Sequence, residues 1–193
     1  MAQTCSSKNT SINIKKLPAV YNKIDWSRYS HYSVIDIGCG RIETQKLILL
    51  HLVKKGVKGF FPWDMYHPSI IDKDKILAAM NNQELDKVIV CSNVLNVIDD
   101  DKALNDLIAQ ICDLSVIRLP NGVYTMHPVY VTIYEGNKSG IGRQTKKDCY
   151  QRNERLCSYL DKFNTYIHQK YNHNANFFKM KYGMIVGITQ SCK

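Results

Sequence analysis

The sequence contains no apolar run approaching the roughly 18–20 residues that a membrane span needs. The longest, Leu47 to Val53, is broken by His51. The opening stretch, Met1 to Lys16, is polar and has no apolar h-region. A cytoplasmic protein without a membrane partner is therefore expected. The seven cysteines are odd in number, none forms a CxxC pair, and no Cys/His quartet has zinc-finger spacing. The expectation is free, mostly buried thiols in a reducing compartment rather than disulfides or structural zinc. His31 and His127 lack ligand spacing as well, so no metal is expected. There is no internal repeat and no low-complexity tract. Acidic residues are scarce, 17 against 26 Lys and Arg, for a formal charge of +9. That excess favours an anionic partner such as an anionic small molecule, a nucleotide, nucleic acid or an acidic protein.

Hydrophobic residues make up 45% of the 193 and charged residues 22%, near the globular average, which excludes disorder as the main state. The length suits one domain. Residues 1–31 read as a polar tail followed by an irregular or partly helical lead-in that packs on the domain edge. Residues 32–193 read as the domain itself.

Apolar periodicity then divides the chain. Ser33 to Ile37 is a buried strand feeding a Gly-Cys-Gly turn. Arg41 to Lys55 is a helix with Leu47, Leu50 and Val53 on its apolar face, Leu49 and Leu52 widening it, and Gly56 as its stop. Val57 to Phe61 is a second strand, ended by Pro62. Ser69 to Met80 is a helix, Lys87 to Cys91 a third strand, and Asp99 to Leu114 a helix with an acidic first turn. A turn at Pro120–Gly122 precedes a fourth strand, Val129 to Tyr134. Thr145 to about Asn172 reads as one long helix with Cys149, Leu156, Leu160, Phe163 and Ile167 as its stripe. A hairpin turning at Tyr182–Gly183 closes the chain. This alternation implies an α/β fold, a three-layer α/β/α sandwich on a mostly parallel, Rossmann-like sheet. Ligands of such sheets lie at the carboxyl ends of the strands.

The residues at those ends carry chemistry. Asp36-Ile-Gly38-Cys39-Gly40 joins the first strand to a helix, where glycines admit close backbone approach and the helix presents free N–H groups. Asp64, followed by Met65, ends the second strand, where a carboxylate accepts both hydroxyls of a ribose. Trp63, Met65 and Tyr66 are suited to flank a flat base. Ser92-Asn93-Val94 ends the third strand, with a donor and an acceptor on Asn93.

Together these segments resemble the class I S-adenosylmethionine-dependent methyltransferases. DIGCG is similar to that family's first motif, Asp64 to its second-strand acid, and Ser92–Ile98 to the segment after its fourth strand. The resemblance runs from about Tyr32 to Thr189. The stretch from Tyr134 to Asn153, with the pattern YEG…SG.G..T..D…Q.N, also looks like a compact branch of methyltransferase-like proteins carried by phages and mobile elements. The resemblance implies S-adenosylmethionine as cofactor. Gly38 and Gly40 would face its methionine part and Asp36 would lie near its amino group. Cys39 would be the small residue between the glycines, and Asp64 would hold the ribose beside Met65. Cys91 to Val94 would border the adenine and the transfer site.

There are departures from the family pattern. Ile42 stands near the place of the third glycine, and no room remains between Met80 and Lys87 for the usual third strand with its acid. No Asn/Asp-Pro-Pro-Tyr/Phe run follows Cys91, which argues against amino methylation of a flipped DNA base. A donor that is already activated needs alignment and exclusion of water more than covalent help. Tyr134 and Glu135 are the candidate catalytic residues on the acceptor side, with Glu135 also suited to capping the glycine loop. Arg143 and Gln151 are the candidate substrate contacts, in a glycine-rich basic stretch suited to an anionic acceptor. The expected function is a small methyltransferase of unknown acceptor. A non-catalytic adenosyl-binding module acting through protein contacts, such as a phage anti-defence protein, and a nucleic-acid-modifying enzyme are the alternatives.

Overall fold

The computed structural model describes residues 16–146, 149–171 and 175–189. Two short 3-10 turns, Ala19–Asn22 and Trp26–Tyr29, form the lead-in. The domain then runs β1 (Ser33–Ile37), α1 (Ile42–Lys54), β2 (Gly59–Trp63), α2 (Lys73–Asn81), β3 (Lys87–Ser92) and α3 (Asp101–Ser115). A small hairpin of β4 (Val116–Arg118) and β5 (Tyr124–Met126) leads to β6 (Val129–Thr132). A second hairpin, β7 (Arg143–Lys146) and β8 (Cys149–Gln151), precedes α4 (Leu156–Tyr171), and β9 (Ala175–Met180) with β10 (Met184–Thr189) closes the chain.

The main sheet has six strands in the order β2-β1-β3-β6-β10-β9. β2, β1, β3 and β6 run parallel, and β10 is antiparallel to both β6 and β9. This is a mostly parallel, Rossmann-like sheet flanked by helices, with an antiparallel hairpin at its end. Among the described residues no strand lies beyond β2, as the short gap between Met80 and Lys87 predicts. Successive strand residues point to opposite faces. Val34, Val88 and Val90 therefore join one core with Val20, Tyr21 and Trp26 of the lead-in and Ile48 and Leu52 of α1. Ile35, Ile37, Ile89 and Cys91 join the other, against α2, α3 and α4. Among the described residues no helix is long and apolar enough to cross a membrane.

Three sequence expectations change. Leu50 and Val53 are 56% and 61% exposed, while Thr44, Gln45, Ile48 and Leu52 form the buried stripe of α1. A true 3.6-residue period through Ile48 recruits two polar residues, of which Gln45 bonds to the turn beneath it. Pro62 lies within β2 rather than ending it. The Trp63 carbonyl faces the β1 side, where it accepts from Gly38 N, so Pro62 faces the open edge and costs no ladder bond. The long helix expected from Thr145 starts only at Leu156. The stretch before it, including Cys149, is the β7–β8 hairpin.

Candidate functional site

From β1 the chain passes outward to β2 and then returns to place β3 on the other side of β1. That reversal is the topological switch point, where sheets of this kind take ligands in a crevice at the carboxyl ends; here Val94, after β3, packs on Gly38, after β1.

Asp36, the penultimate residue of β1, is 2% exposed. Its Oδ2 accepts from the Tyr21 hydroxyl at 2.7 Å, while its Oδ1 has no hydrogen-bond partner among the described residues. Burial pushes this carboxyl up to about 7, against the Tyr21 hydrogen bond and with the nearby Asp64 charge adding to the rise. The next turn is built for close approach. Gly38 has φ 76°, its N–H donates to the Trp63 carbonyl at 2.7 Å, and an added Cβ would stand 2.2 Å from Val94 Cγ2. Gly40 has φ 77° and is open instead, since a Cβ there would meet nothing within 4 Å. Cys39 between them is 5% exposed, and burial drives its thiol far above the ordinary range, with Asp36 and Asp64 adding to it. That is an inert thiol rather than a nucleophile.

Asp64 follows β2 and grips the same turn. Its Oδ2 accepts from Gly40 N at 2.8 Å, and its Oδ1 accepts from Tyr66 N at 2.8 Å and His67 N at 3.1 Å. The DIGCG turn and the second-strand acid thus meet on one flank of the molecule. Met65, next to the acid, is 79% exposed, and Trp63 carries the Lys73 ammonium 5.6 Å from its ring centroid. Sequence reasoning missed Gln45. Fully buried on α1, it donates to the carbonyls of Gly40 at 2.7 Å and Pro68 at 2.9 Å and accepts from Ile70 N at 2.9 Å. Gly40 is therefore held at its N–H by Asp64 and at its carbonyl by Gln45. The signal was a glutamine on the apolar side of a helix, but its partners are distant in sequence.

At the end of β3, the Ser92 and Thr132 hydroxyls are 2.9 Å apart. Asn93 adopts φ 56°, donates its N–H to the Thr132 carbonyl at 2.9 Å and exposes its side chain. Val94 packs over Gly38. The three segments picked from the sequence are thus brought together at the switch point.

The acceptor-side residues are arranged differently. Tyr134 is 65% exposed. Glu135 Oε1 accepts from Leu156 N at 2.7 Å, capping α4, and Oε2 pairs with Lys138 at 3.1 Å. The Leu156 bond, followed by Lys138, holds this carboxyl below its usual range, so it caps a helix as a carboxylate. Gln151, expected as a substrate contact, is only 7% exposed. Its Oε1 accepts from Asn96 Nδ2 at 3.2 Å and its Nε2 donates to the Tyr134 carbonyl at 2.9 Å. Arg143, opposite it in the hairpin, is exposed.

The signature ending in Gln151-Arg152-Asn153 proves to be a buried knot. Arg152 is 8% exposed and donates to the Ile98 carbonyl at 2.8 Å, to Glu154 at 2.7 Å and to Asp101. Asn153, with φ 57°, donates from Nδ2 to the Ile141 carbonyl at 2.9 Å. A Cβ on Gly136 would stand 2.0 Å from the Asn153 side-chain oxygen, which explains the glycine of YEG. The knot joins the loops after β3 and β6 to the start of α4. Among the described residues no group of three or more His, Cys, Asp or Glu is placed to hold a metal ion.

No family model matches this chain, and no curated protein matches it in sequence. Among solved structures it is similar to the X-ray structure of the sugar N-methyltransferase KedS8 from Streptoalloteichus sp ATCC 53650. The identity is 10% and the TM-score 0.46, over 90% of this chain and 86% of that one. At that distance chemistry does not carry over from one protein to the other.

Proposed function

We propose that the crevice above β1, β2 and β3 binds S-adenosylmethionine and that the protein is a methyltransferase of unidentified acceptor. The observation that carries this reading is the 2.8 Å bond from Gly40 N to Asp64, which joins the glycine turn and the acid at the switch point. The fit of the residues supports it. Space over Gly40 is open, Asp36 keeps a buried oxygen without a partner, and Met65 stands exposed beside the acid. Gly40 and Asp36 would hold the methionine part, Asp64 would shape the turn through its three backbone bonds and offer its remaining lone pair to the ribose, and Met65 with Asn93 would hold the base. S-adenosylmethionine supplies a methyl group already activated on a sulfonium. This chain's residues bind and orient it and keep water away.

Titration calorimetry with S-adenosylmethionine and S-adenosylhomocysteine tests the reading. Both compounds should bind, and Asp64→Ala should weaken them by about 1–3 kcal/mol through lost hydrogen bonds. Affinity unchanged in that variant would remove Asp64 from the site, and no binding to the wild type would remove the site.

A second reading is favoured by Glu135, whose two oxygens are both engaged. With its carboxylate spent on a helix cap, the chain would be a binder of adenosyl compounds without transfer. Transfer of labelled methyl to components of a cell extract separates the two. Incorporation that depends on Asp64 supports the enzyme, and its absence despite binding supports the module. Binding to nucleic acid that weakens steeply with salt would single out an acceptor suited to the +9 charge.

A further inference from the structure

We propose that Tyr21 is a positioning residue for Asp36. Its phenol ties one carboxyl oxygen and leaves the other to a cationic ligand, which binds by displacing a proton from that carboxyl. This rests on the adenosyl-site reading and adds to it a role for the lead-in and a proton exchange.

Tyr21 lies outside the strand-and-turn motif, 1% exposed in the lead-in. Its ring stacks on Trp26 with centroids 5.5 Å apart, and Trp26 Nε1 donates to the Tyr21 carbonyl at 2.8 Å. The phenol is thus held in place by its own segment, independently of Asp36. From that position it donates to Asp36 Oδ2 at 2.7 Å, while Oδ1, equally enclosed, has no hydrogen-bond partner among the described residues. A buried oxygen with unused acceptor capacity at the switch point is a site for a donor that arrives with the ligand.

Besides burial, the groups that shift this carboxyl are Tyr21 of the lead-in, which lowers it, and Asp64 after β2, which raises it. The buried thiols of Cys39 in the turn and Cys91 of β3 lie in its field. None of these four is a cation. His51 of α1 interacts with the Tyr21 backbone instead. Burial without a countercharge therefore lets Asp36 hold a proton up to about pH 7, and the Tyr21 bond limits how far the rise goes. An ammonium group reaching Oδ1 supplies the missing countercharge. The carboxyl O–H bond then breaks, its electron pair stays on oxygen, the proton passes to water, and no other covalent bond changes. Affinity for such a ligand rises with pH up to neutrality, until the ligand's own amine loses its proton near about pH 8.

The test has two arms on the full chain. In the ligand-free arm, carboxyl NMR of protein labelled with 13C-aspartate follows Asp36, assigned by its loss in Asp36→Asn. The expected midpoint lies near neutrality and rises in Tyr21→Phe. A midpoint in the ordinary carboxylate range, or one that Tyr21→Phe leaves in place, overturns the proposal. In the ligand arm, S-adenosylhomocysteine is titrated between pH 5 and 7 in buffers of different ionisation enthalpy. The wild type should release protons on binding and gain about tenfold or more in affinity across that range. Tyr21→Phe should shift the curve to higher pH, and Asp36→Asn should flatten it. Binding without proton release at any of these pH values overturns the proposal. Absence of binding throughout, with Asp36 titrating near neutrality under Tyr21 control, supports the pairing and overturns the adenosyl reading. Thermal melts of both variants confirm that the fold is kept.

Discussion

Arg152 and Asp36 are both buried charged groups above the carboxyl ends of the strands, 8% and 2% exposed. Arg152 has two carboxylates and a carbonyl around its guanidinium. Asp36 has one phenol on it and, among the described groups that shift it, an acid rather than a cation. The same contrast divides the loops around them. On the β6 side, Glu135, Gln151, Arg152 and Asn153 spend their polar atoms on one another and on the backbone. On the β1 and β2 side, one oxygen of a buried acid lacks a partner among the described residues and a glycine faces open space. Folded proteins pair most of their buried polar groups; Asn96 Oδ1 beside the knot is also without a partner among the described residues, and Asp36 differs in being an ionisable acid, which makes it the candidate for completion by a ligand. The knot ties its loops together, and the turn is the proposed place of binding.

Substitutions should separate the two halves. Arg152→Ala removes the centre of the knot and leaves the half-buried Glu154 without its cation. A loss of about 3–5 kcal/mol is expected in urea unfolding. A change below about 1 kcal/mol would show that the knot is dispensable.

Asp36→Asn should act in the opposite sense. The Asp36 carboxyl titrates near 7 in the fold against an ordinary value of 3.8 in the unfolded chain. The folded state therefore binds more protons between those limits, and wild-type stability falls as pH rises from about 4 to 7. Asparagine avoids this cost. The variant should match the wild type at pH 4 and exceed it by roughly 3–4 kcal/mol at pH 8. A stability difference that does not vary with pH would contradict the charge imbalance assigned to that half.

Asn153→Ala deletes two side-chain bonds, one donated to the Ile141 carbonyl and one accepted from Asn137 N, and places alanine at a φ of 57°. The expected loss is about 1–3 kcal/mol, with adenosyl binding retained. Loss of binding without loss of stability would move Asn153 from the knot into the site.

The sequence made the binding half more legible than the holding half. DIGCG and Asp64 are short segments at strand ends, where residue type announces backbone geometry and charge. The order of β1, β2 and β3 followed from apolar runs bounded by turns. Gln45 was hidden because its three backbone partners belong to Gly40, Pro68 and Ile70, and a glutamine on a helix's apolar side does not by itself say what it holds. The face of α1 was misjudged for the same reason. Leu50 and Val53 are more apolar than Thr44 and Gln45, but the buried stripe follows the turn it supports. The β7–β8 hairpin was absorbed into the helix after it, since strands of four and three residues are too short to set a period. Gln151 looked like a surface contact because a polar residue after a basic run gives no sign of the asparagine and carbonyl that enclose it.

The most direct measurement is a crystal structure of the protein soaked with S-adenosylhomocysteine. Density for the ligand is predicted in the open space over Gly40, with its ribose beside Asp64 and its amino end directed toward Asp36. At saturating ligand, density lodged elsewhere, or side chains filling the space above Gly40, would contradict the shared site.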